Sequence, residues 1–209
     1  MSDWGLITGS DGKSRCGWPG EDPLYVHYHD TEWGRPSADD RYIFEKICLE
    51  GFQAGLSWIT ILRKRENFRA AFDNFDVKKV ARYDEKKVDQ LVANPGIIRH
   101  RGKIESAINN ASCAQDVIKE FGSLATYVWQ FEPGEDERPN VFDGKTVKSL
   151  TQTTASKALS KDLKSRGWSF VGPTTIYAFM QSVGLVNDHL HGCVCREAAE
   201  KERRAFCRP

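Results

Sequence analysis

The stretch Asn187-Asp188-His189-Leu190-His191-Gly192-Cys193-Val194-Cys195 sets two histidines and two cysteines close together near the C-terminus. His189 and Cys193 are four apart and would share one face of a helix. Cys16 and His29 lie far upstream, in Arg15-Cys16-Gly17-Trp18 and Tyr28-His29-Asp30-Thr31-Glu32-Trp33-Gly34. Two Cys and two His drawn from opposite ends of a chain could complete a tetrahedral zinc site. Such a site would pin the N-terminal segment onto the C-terminal one. The spacing is not that of a zinc finger, and His191 and Cys195 leave an alternative ligand set open.

The bulk numbers fit a globular protein. With 209 residues, 40% of them hydrophobic, including six Trp and eleven Phe, the chain can bury a real core. The net charge is +1, which excludes a polybasic tail as the main means of binding but leaves room for a local basic face. Apolar runs are too short to span a membrane. Met1-Ser2-Asp3-Trp4 does not begin a secretory signal. Six cysteines without such a signal point to reduced thiols in the cytoplasm, where metal ligation is favoured over disulfides. Cys48 and Cys113 fall on apolar helical faces and read as buried small hydrophobes.

The pattern along the chain is all-α. Residues 1–14 are polar and non-periodic and read as a disordered arm. Helical periodicity starts at Asp39, where Ile43, Phe44, Ile47, Cys48 and Ala54 share a face. Ser57 to Phe72 reads as a second helix. Asp84 can cap a third, which Pro95-Gly96 ends. Ile104, Ala107, Ile108, Ala111, Ile118 and Phe121 mark a long amphipathic helix. Residues 132–153 read as a surface loop. Thr154 can cap a helix carrying Leu159 and Leu163, and a last helix runs from about Pro173 to Val183. Residues 196–209 read as a charged tail, and hairpin signals are absent.

Several motifs carry two readings at this point. Gly172-Pro173-Thr174 opens a helix after a short turn, so its N–H groups could hold a DNA phosphate, or the turn could be an ordinary αα-hairpin. In Glu50-Gly51-Phe52-Gln53-Ala54-Gly55-Leu56-Ser57-Trp58, a carboxylate beside an aromatic ring could bind a flat cation. Leu56 could be an apolar wedge between bases. The plainer alternative is a solvated Glu50 and an inward Leu56. Arg99, Arg101 and Lys103 make either a phosphate contact or a solvated basic turn. Trp18, Tyr25, Tyr28 and Trp33 form either a stacking pocket or core.

Taken together, Arg15-Cys16-Gly17-Trp18, Asp22-Pro23-Leu24-Tyr25, Tyr28 to Gly34, Glu50 to Trp58, Gly96-Ile97-Ile98-Arg99-His100-Arg101-Gly102-Lys103-Ile104 and Gly184-Leu185-Val186-Asn187-Asp188-His189 resemble the DNA-3-methyladenine glycosylase I family. The resemblance covers about residues 15–195. It implies a helix-hairpin-helix DNA glycosylase fold in two helical lobes, with a structural zinc on Cys16, His29, His189 and Cys193. It implies a base pocket of Glu50, Tyr28 and Trp58, with Trp18, Tyr25 and Trp33 nearby, and Gly55-Leu56 as the turn inserted at the lesion. The expected activity is monofunctional hydrolysis of the N-glycosidic bond of 3-methyladenine by a monomer acting on alkylated double-stranded DNA. Glu50 would be the catalytic group. The resemblance also implies a family without its superfamily's usual catalytic Asp, so Asp188 is expected to be structural. A zinc-stabilised DNA-binding module without chemistry, and a zinc hydrolase, are the competing classes. Four protein ligands leave no site for water and argue against the hydrolase.

Overall fold

The computed structural model describes residues 5–209. Apart from one hairpin, its regular structure is helical. The hairpin pairs β1 (Leu6–Thr8) with β2 (Ser14–Cys16) in antiparallel register, Leu6 opposite Cys16. This corrects the expectation of a disordered arm for residues 5–14 and of absent hairpins; residues 1–4 lie outside the described residues. Gly12 turns the chain at φ +74°. Asp11 accepts from the Lys13 amide at 3.1 Å and pairs with Arg15 at 2.7 Å. Arg15 also pairs with Asp30 at 2.9 Å, and the Ser14 carbonyl accepts from the Val194 amide at 2.9 Å. Two strands of three residues have little stability alone. Partners distant in sequence hold this pair, so no local pattern announces it.

Eleven α-helices follow among the described residues: α1 (Pro23–Thr31), α2 (Asp40–Gln53), α3 (Trp58–Ala71), α4 (Val77–Val80), α5 (Glu85–Ala93), α6 (Arg101–Phe121), α7 (Leu124–Trp129), α8 (Gly144–Ser149), α9 (Thr154–Ser165), α10 (Pro173–Ser182) and α11 (Arg196–Ala205). Side-chain caps set several starts. Asp22 accepts from Leu24 and Tyr25 amides, Asp39 from Tyr42, and Asp84 from Lys87. The cap of α9 is Thr153, one residue earlier than its sequence suggests, because its hydroxyl reaches the Ser156 amide at 3.1 Å.

The α2 helix is the spine. Every residue from Ile43 to Phe52 is buried, and the helix packs against α3, α6, α7 and α10. Burial on all sides explains why its apolar stripe is broad and why three of its charged residues, Glu45, Lys46 and Glu50, end up inside. The main apolar core is continuous from Tyr28 to Val186. A smaller cluster joins Cys16, Phe142, Leu190, Cys193 and Cys195. The 132–153 segment is therefore more than a surface loop: it contains α8 and buries Phe142. His191 clamps that loop, since its Nδ1 accepts from the Phe142 amide at 2.8 Å.

The expected charged tail is largely α11. Ala199 is buried, and beyond the helix the Phe206 ring lies 4.6 Å from that of Trp129. Arg203 and Arg208 both pair with Glu132, at 2.7 and 2.8 Å. Charge dominates the sequence of this helix, but one small buried residue and an arginine clamp are enough to dock it.

At the end of α10, Gly184 adopts φ +72°, and a Cβ there would lie 2.4 Å from the Arg35 carbonyl carbon. The close passage of residues 34–36 sets Trp33 beside His189. Gly184→Ala combines a left-handed backbone with a backbone clash, so it should cost at least about 3 kcal/mol in urea unfolding. A loss under about 1 kcal/mol would mean that this passage is loose.

Candidate active site and metal cluster

Hairpin, first helix and C-terminal loop converge on four buried side chains: Cys16, His29, His189 and Cys193. His189 and Cys193 do not lie on a helix. Both belong to the loop between α10 and α11, where Gly192 at φ +89° turns the chain and the Cys193 amide returns to the Leu190 carbonyl at 2.9 Å. His189 Nδ1 is 3.2 Å from His29 Nε2, and Cys193 Sγ is 3.6 Å from each of these nitrogens. Tetrahedral coordination by zinc would place two nitrogens about 3.3 Å apart and a nitrogen and sulfur about 3.5 Å apart. The outer contacts fit as well. Asp30 meets His29 Nδ1 at 2.8 Å, and the Trp33 carbonyl meets His189 Nε2 at 3.1 Å. Each imidazole thus points its free nitrogen at the centre, the arrangement of metal-binding histidines. The donor set and its geometry fit a metal ion.

His191 lies outside this group, being exposed and bonded to Phe142. Cys195 sits behind His29, with its Sγ 3.5 Å from the Asp30 carboxylate. His29, Asp30 and Cys195 form the second arrangement that could hold an ion, but it shares His29 with the first.

Against this cluster lies a cavity of about 240 Å³. Its walls include Trp18, Tyr25, Tyr28, Trp33, Glu50 and Trp58. The structure thus brings together all six residues that the resemblance assigns to the base pocket. The volume is below the range of about 300–1,000 Å³ typical for drug-sized ligands and suits something smaller. Asp22 and Arg63 pair at 2.5 Å and fix α1 to α3. The α1 helix then turns Tyr25 and Tyr28 inward. Trp18 meets Tyr25 and Trp33 edge to face at 4.9 and 5.1 Å, and Tyr28 is tilted against Trp58 at 5.5 Å. Trp18 also touches His29 and Trp33 touches His189, so the aromatic wall and the Cys/His cluster share one framework.

Glu50 is one of two buried carboxylates lining the cavity, 5% exposed. Burial pushes it up to about 7 from an ordinary 4.5, against the opposing pull of Lys46. Burial likewise keeps the Tyr28 and Tyr25 hydroxyls protonated far above their usual range. Asp188 also lines the cavity, but its oxygens accept from Tyr177, Arg138 and, at 2.8 Å, Gln181. So fully bonded a carboxylate braces the loop that carries His189. Sequence reasoning missed Lys46, Gln53 and Gln181 near the cavity. Lys46, four residues before Glu50 on α2, carried the one usable signal: a lysine adjoining the buried stripe.

The remaining predicted residues divide between surface and interior. Gly55, at φ +80°, turns the chain between α2 and α3 and leaves Leu56 42% exposed. Gly172 caps α10 and Pro173 opens it, with Thr174 exposed and open space over Gly172. Ser169 in the α9–α10 turn is hydrogen-bonded to Asn110 and Ser106 of α6. Arg99 is exposed, and no acidic partner lies within ion-pair distance among the described residues. Arg101 instead pairs with Glu85, Glu105 and Asp89. Lys103 is buried, donating to the carbonyls of Phe52 at 3.0 Å and Ala54 at 2.5 Å. It satisfies the orphan carbonyls at the end of α2 and fastens the Leu56 turn from below. A solvent-facing phosphate ligand it is not.

The fold and site define a helical protein with a small aromatic cavity, a buried carboxylate and an adjoining Cys/His cluster. The chain belongs to the methyladenine glycosylase family, whose model matches residues 18–197, and is a hydrolytic glycosylase. It is 52% identical to DNA-3-methyladenine glycosylase 1 of Escherichia coli (strain K12), over 87% of this chain and 96% of that protein. A crystal structure of 3-methyladenine DNA glycosylase I superposes with a TM-score of 0.81 at 51% identity, covering 87% of this chain and 99% of the other. A tyrosine-to-phenylalanine variant of such an enzyme, solved in complex with 3-methyladenine, also has a TM-score of 0.81, at 34% identity over 87% and 97% of the two chains. Among the described residues, no helix is long and apolar enough to cross a membrane.

Replacing Lys103 by Met would leave two helix-end carbonyls without a donor. The expected loss is about 1–3 kcal/mol in chemical unfolding, whereas Arg99→Ala should stay within about 0.5 kcal/mol. Equal losses for the two variants would put Lys103 back at the surface.

Proposed function

We propose that this protein performs base-excision repair, hydrolysing the N-glycosidic bond of 3-methyladenine in alkylated double-stranded DNA. The observation that carries the reading is the small aromatic cavity with buried Glu50 in its wall. A base inside a duplex is out of reach, so the nucleotide must flip, at a cost of a few kcal/mol. Exposed Leu56 on its Gly55 turn is suited to fill the gap. Thr174 and neighbouring N–H groups at the start of α10, with Arg99, would hold backbone phosphates. Arg101 would contribute less, being neutralised by three acids. The enzyme would act as a monomer, inside the cell.

An alkylated adenine is already cationic in its nucleoside. When the glycosidic bond breaks, its electron pair goes to the base, which leaves neutral. Water then adds to the sugar carbon and loses a proton, leaving an abasic site. Tyr28 and Trp58 would stack on the departing base, and the Glu50 carboxylate would accept a hydrogen bond from it and offset its charge. Such help would be strongest where the bound base displaces water from the cavity. Asp188, with its oxygens engaged, takes no part in the chemistry.

The metal would be Zn²⁺ with a structural role, held by Cys16, His29, His189 and Cys193. It would supply a closed four-ligand cross-link and no open position. Cys193→Ser should lose the ion and lower the melting temperature, whereas His191→Ala should keep one equivalent by atomic absorption. Loss of metal from His191→Ala, or full content in Cys193→Ser, would refute this ligand set.

Glu50→Gln keeps the shape but removes the charge. A charge-assisted hydrogen bond is worth roughly 1.5–3 kcal/mol, so single-turnover release of 3-methyladenine should slow by about one to two orders of magnitude. The active form is the carboxylate, and its midpoint is raised to about 7. Wild-type excision should therefore fall as pH drops through neutrality, and Glu50→Gln should lose that limb. Equal rates for the two enzymes would assign selection to stacking and fit alone.

A further inference from the structure

The mechanism above leaves one fully buried charge without a task. Lys46 has no exposed surface, yet its ammonium lies immediately behind the cavity wall. It donates to the Tyr28 hydroxyl at 2.8 Å. It also sits 4.4 Å from the Tyr28 ring centroid and 4.7 Å from that of Trp58. On α2 it stands four residues before Glu50, hence on the same side of the helix. Burying a lysine is costly unless the charge is compensated. Here the compensation comes from the π faces of Tyr28, Trp58 and Tyr42, a phenol oxygen and the nearby carboxylates.

We propose that Lys46 is a positioning residue for base excision, orienting the Tyr28 hydroxyl and holding Glu50 as the charged acceptor from behind the aromatic wall. Tyr28 accepts from Lys46, which leaves its own O–H available to donate to another group. Lys46 is not itself a cavity-lining residue and cannot reach a sugar carbon as a nucleophile. Its influence passes through the two rings and through the field at Glu50.

The charges around the pair are nearly balanced. Facing Lys46 are Glu50 and Glu45 from its own helix, Glu32 from the end of α1 and Arg65 from α3, with the Tyr42 and Tyr28 hydroxyls alongside. Glu32 is paired with Arg65 at 2.5 Å, and Glu45 with Arg69 at 2.8 Å. Those two ion pairs leave Lys46 and Glu50 as each other's uncompensated counter-charge. Glu50 is seen in turn by Lys46, Tyr25 and Tyr28. Burial pulls the Lys46 ammonium down to about 8, with Glu50 and Glu32 holding it up. Near neutral pH both groups can therefore be charged, and each keeps the other so. Without Lys46, burial would act on Glu50 unopposed and favour its protonated form.

The proposal rests on Glu50 acting as a carboxylate, so its test reads Glu50 directly as well as through excision. The side-chain carboxyl ¹³C signal of Glu50, assigned by its disappearance in Glu50→Gln, is followed against pH in wild type, Lys46→Met and Lys46→Gln. Loss of a nearby cation should raise the Glu50 midpoint by about one pH unit or more in both variants. The acid limb of single-turnover excision should move by the same amount. Lys46→Gln retains a donor for Tyr28, so at a pH above both midpoints it should excise faster than Lys46→Met. An unmoved Glu50 midpoint in a folded variant would overturn the proposal, whatever the rate. A shifted midpoint with wild-type excision by Glu50→Gln would keep the coupling and refute the role given to Glu50 above.

Discussion

The Cys16, His29, His189 and Cys193 cluster is the constraint on which the site depends. Its donors come from the hairpin, α1 and the loop after α10, elements with little stability of their own. The bonds that orient its two imidazoles extend outward to Asp30 and the Trp33 carbonyl. Trp33 and Trp18 are cavity walls, packed directly on the cluster's histidines. By joining the chain ends through packing and hydrogen bonds, this cluster also fixes the shape of the aromatic cavity. Asp188 extends the same framework on the other side, joining Tyr177, Gln181 and Arg138 to the residue next to His189.

The α2 helix supplies the other half of the site by a different principle. From Ile43 to Phe52 it is buried without a break, so a charged residue there must be compensated or neutral. Nearby, Glu45 finds Arg69 and Glu32 finds Arg65. Glu50 and Lys46 remain close in space across the cavity wall, tuned toward each other by burial. The end of the same helix forms the Leu56 turn, which Lys103 fastens from α6. Cavity, exposed leucine and the α9–α10 turn are thus all referred to one helix.

The local code of this chain is honest where helices begin. Asp22, Asp39 and Asp84 cap where their chemistry places them, and Pro173 opens α10 as its missing N–H allows. It is silent where stability comes from afar. The β1–β2 hairpin is held by Asp30 and Val194, and α11 by Trp129 and Glu132, contacts that no window of neighbouring residues contains.

Residue types and order in the sequence were enough to point to the helical class, and the resemblance carried by the motifs implied one Cys/His set and one group of aromatics around Glu50, residues that the structure brings together. These are legible because capping, amphipathic periodicity and a distinctive set of motifs are properties of the chain itself. Only the tertiary structure decided what each cation does. Arg99, Arg101 and Lys103 look alike in sequence. Yet Arg99 has no acidic partner among the described residues, Arg101 is neutralised by three acids, and Lys103 is drawn to carbonyls inside the fold. Lys46 went unnoticed because its meaning lies in what stands behind and before it: two rings, a phenol and a carboxylate. A charge is assigned by its solvent and its neighbours, and both are set by packing.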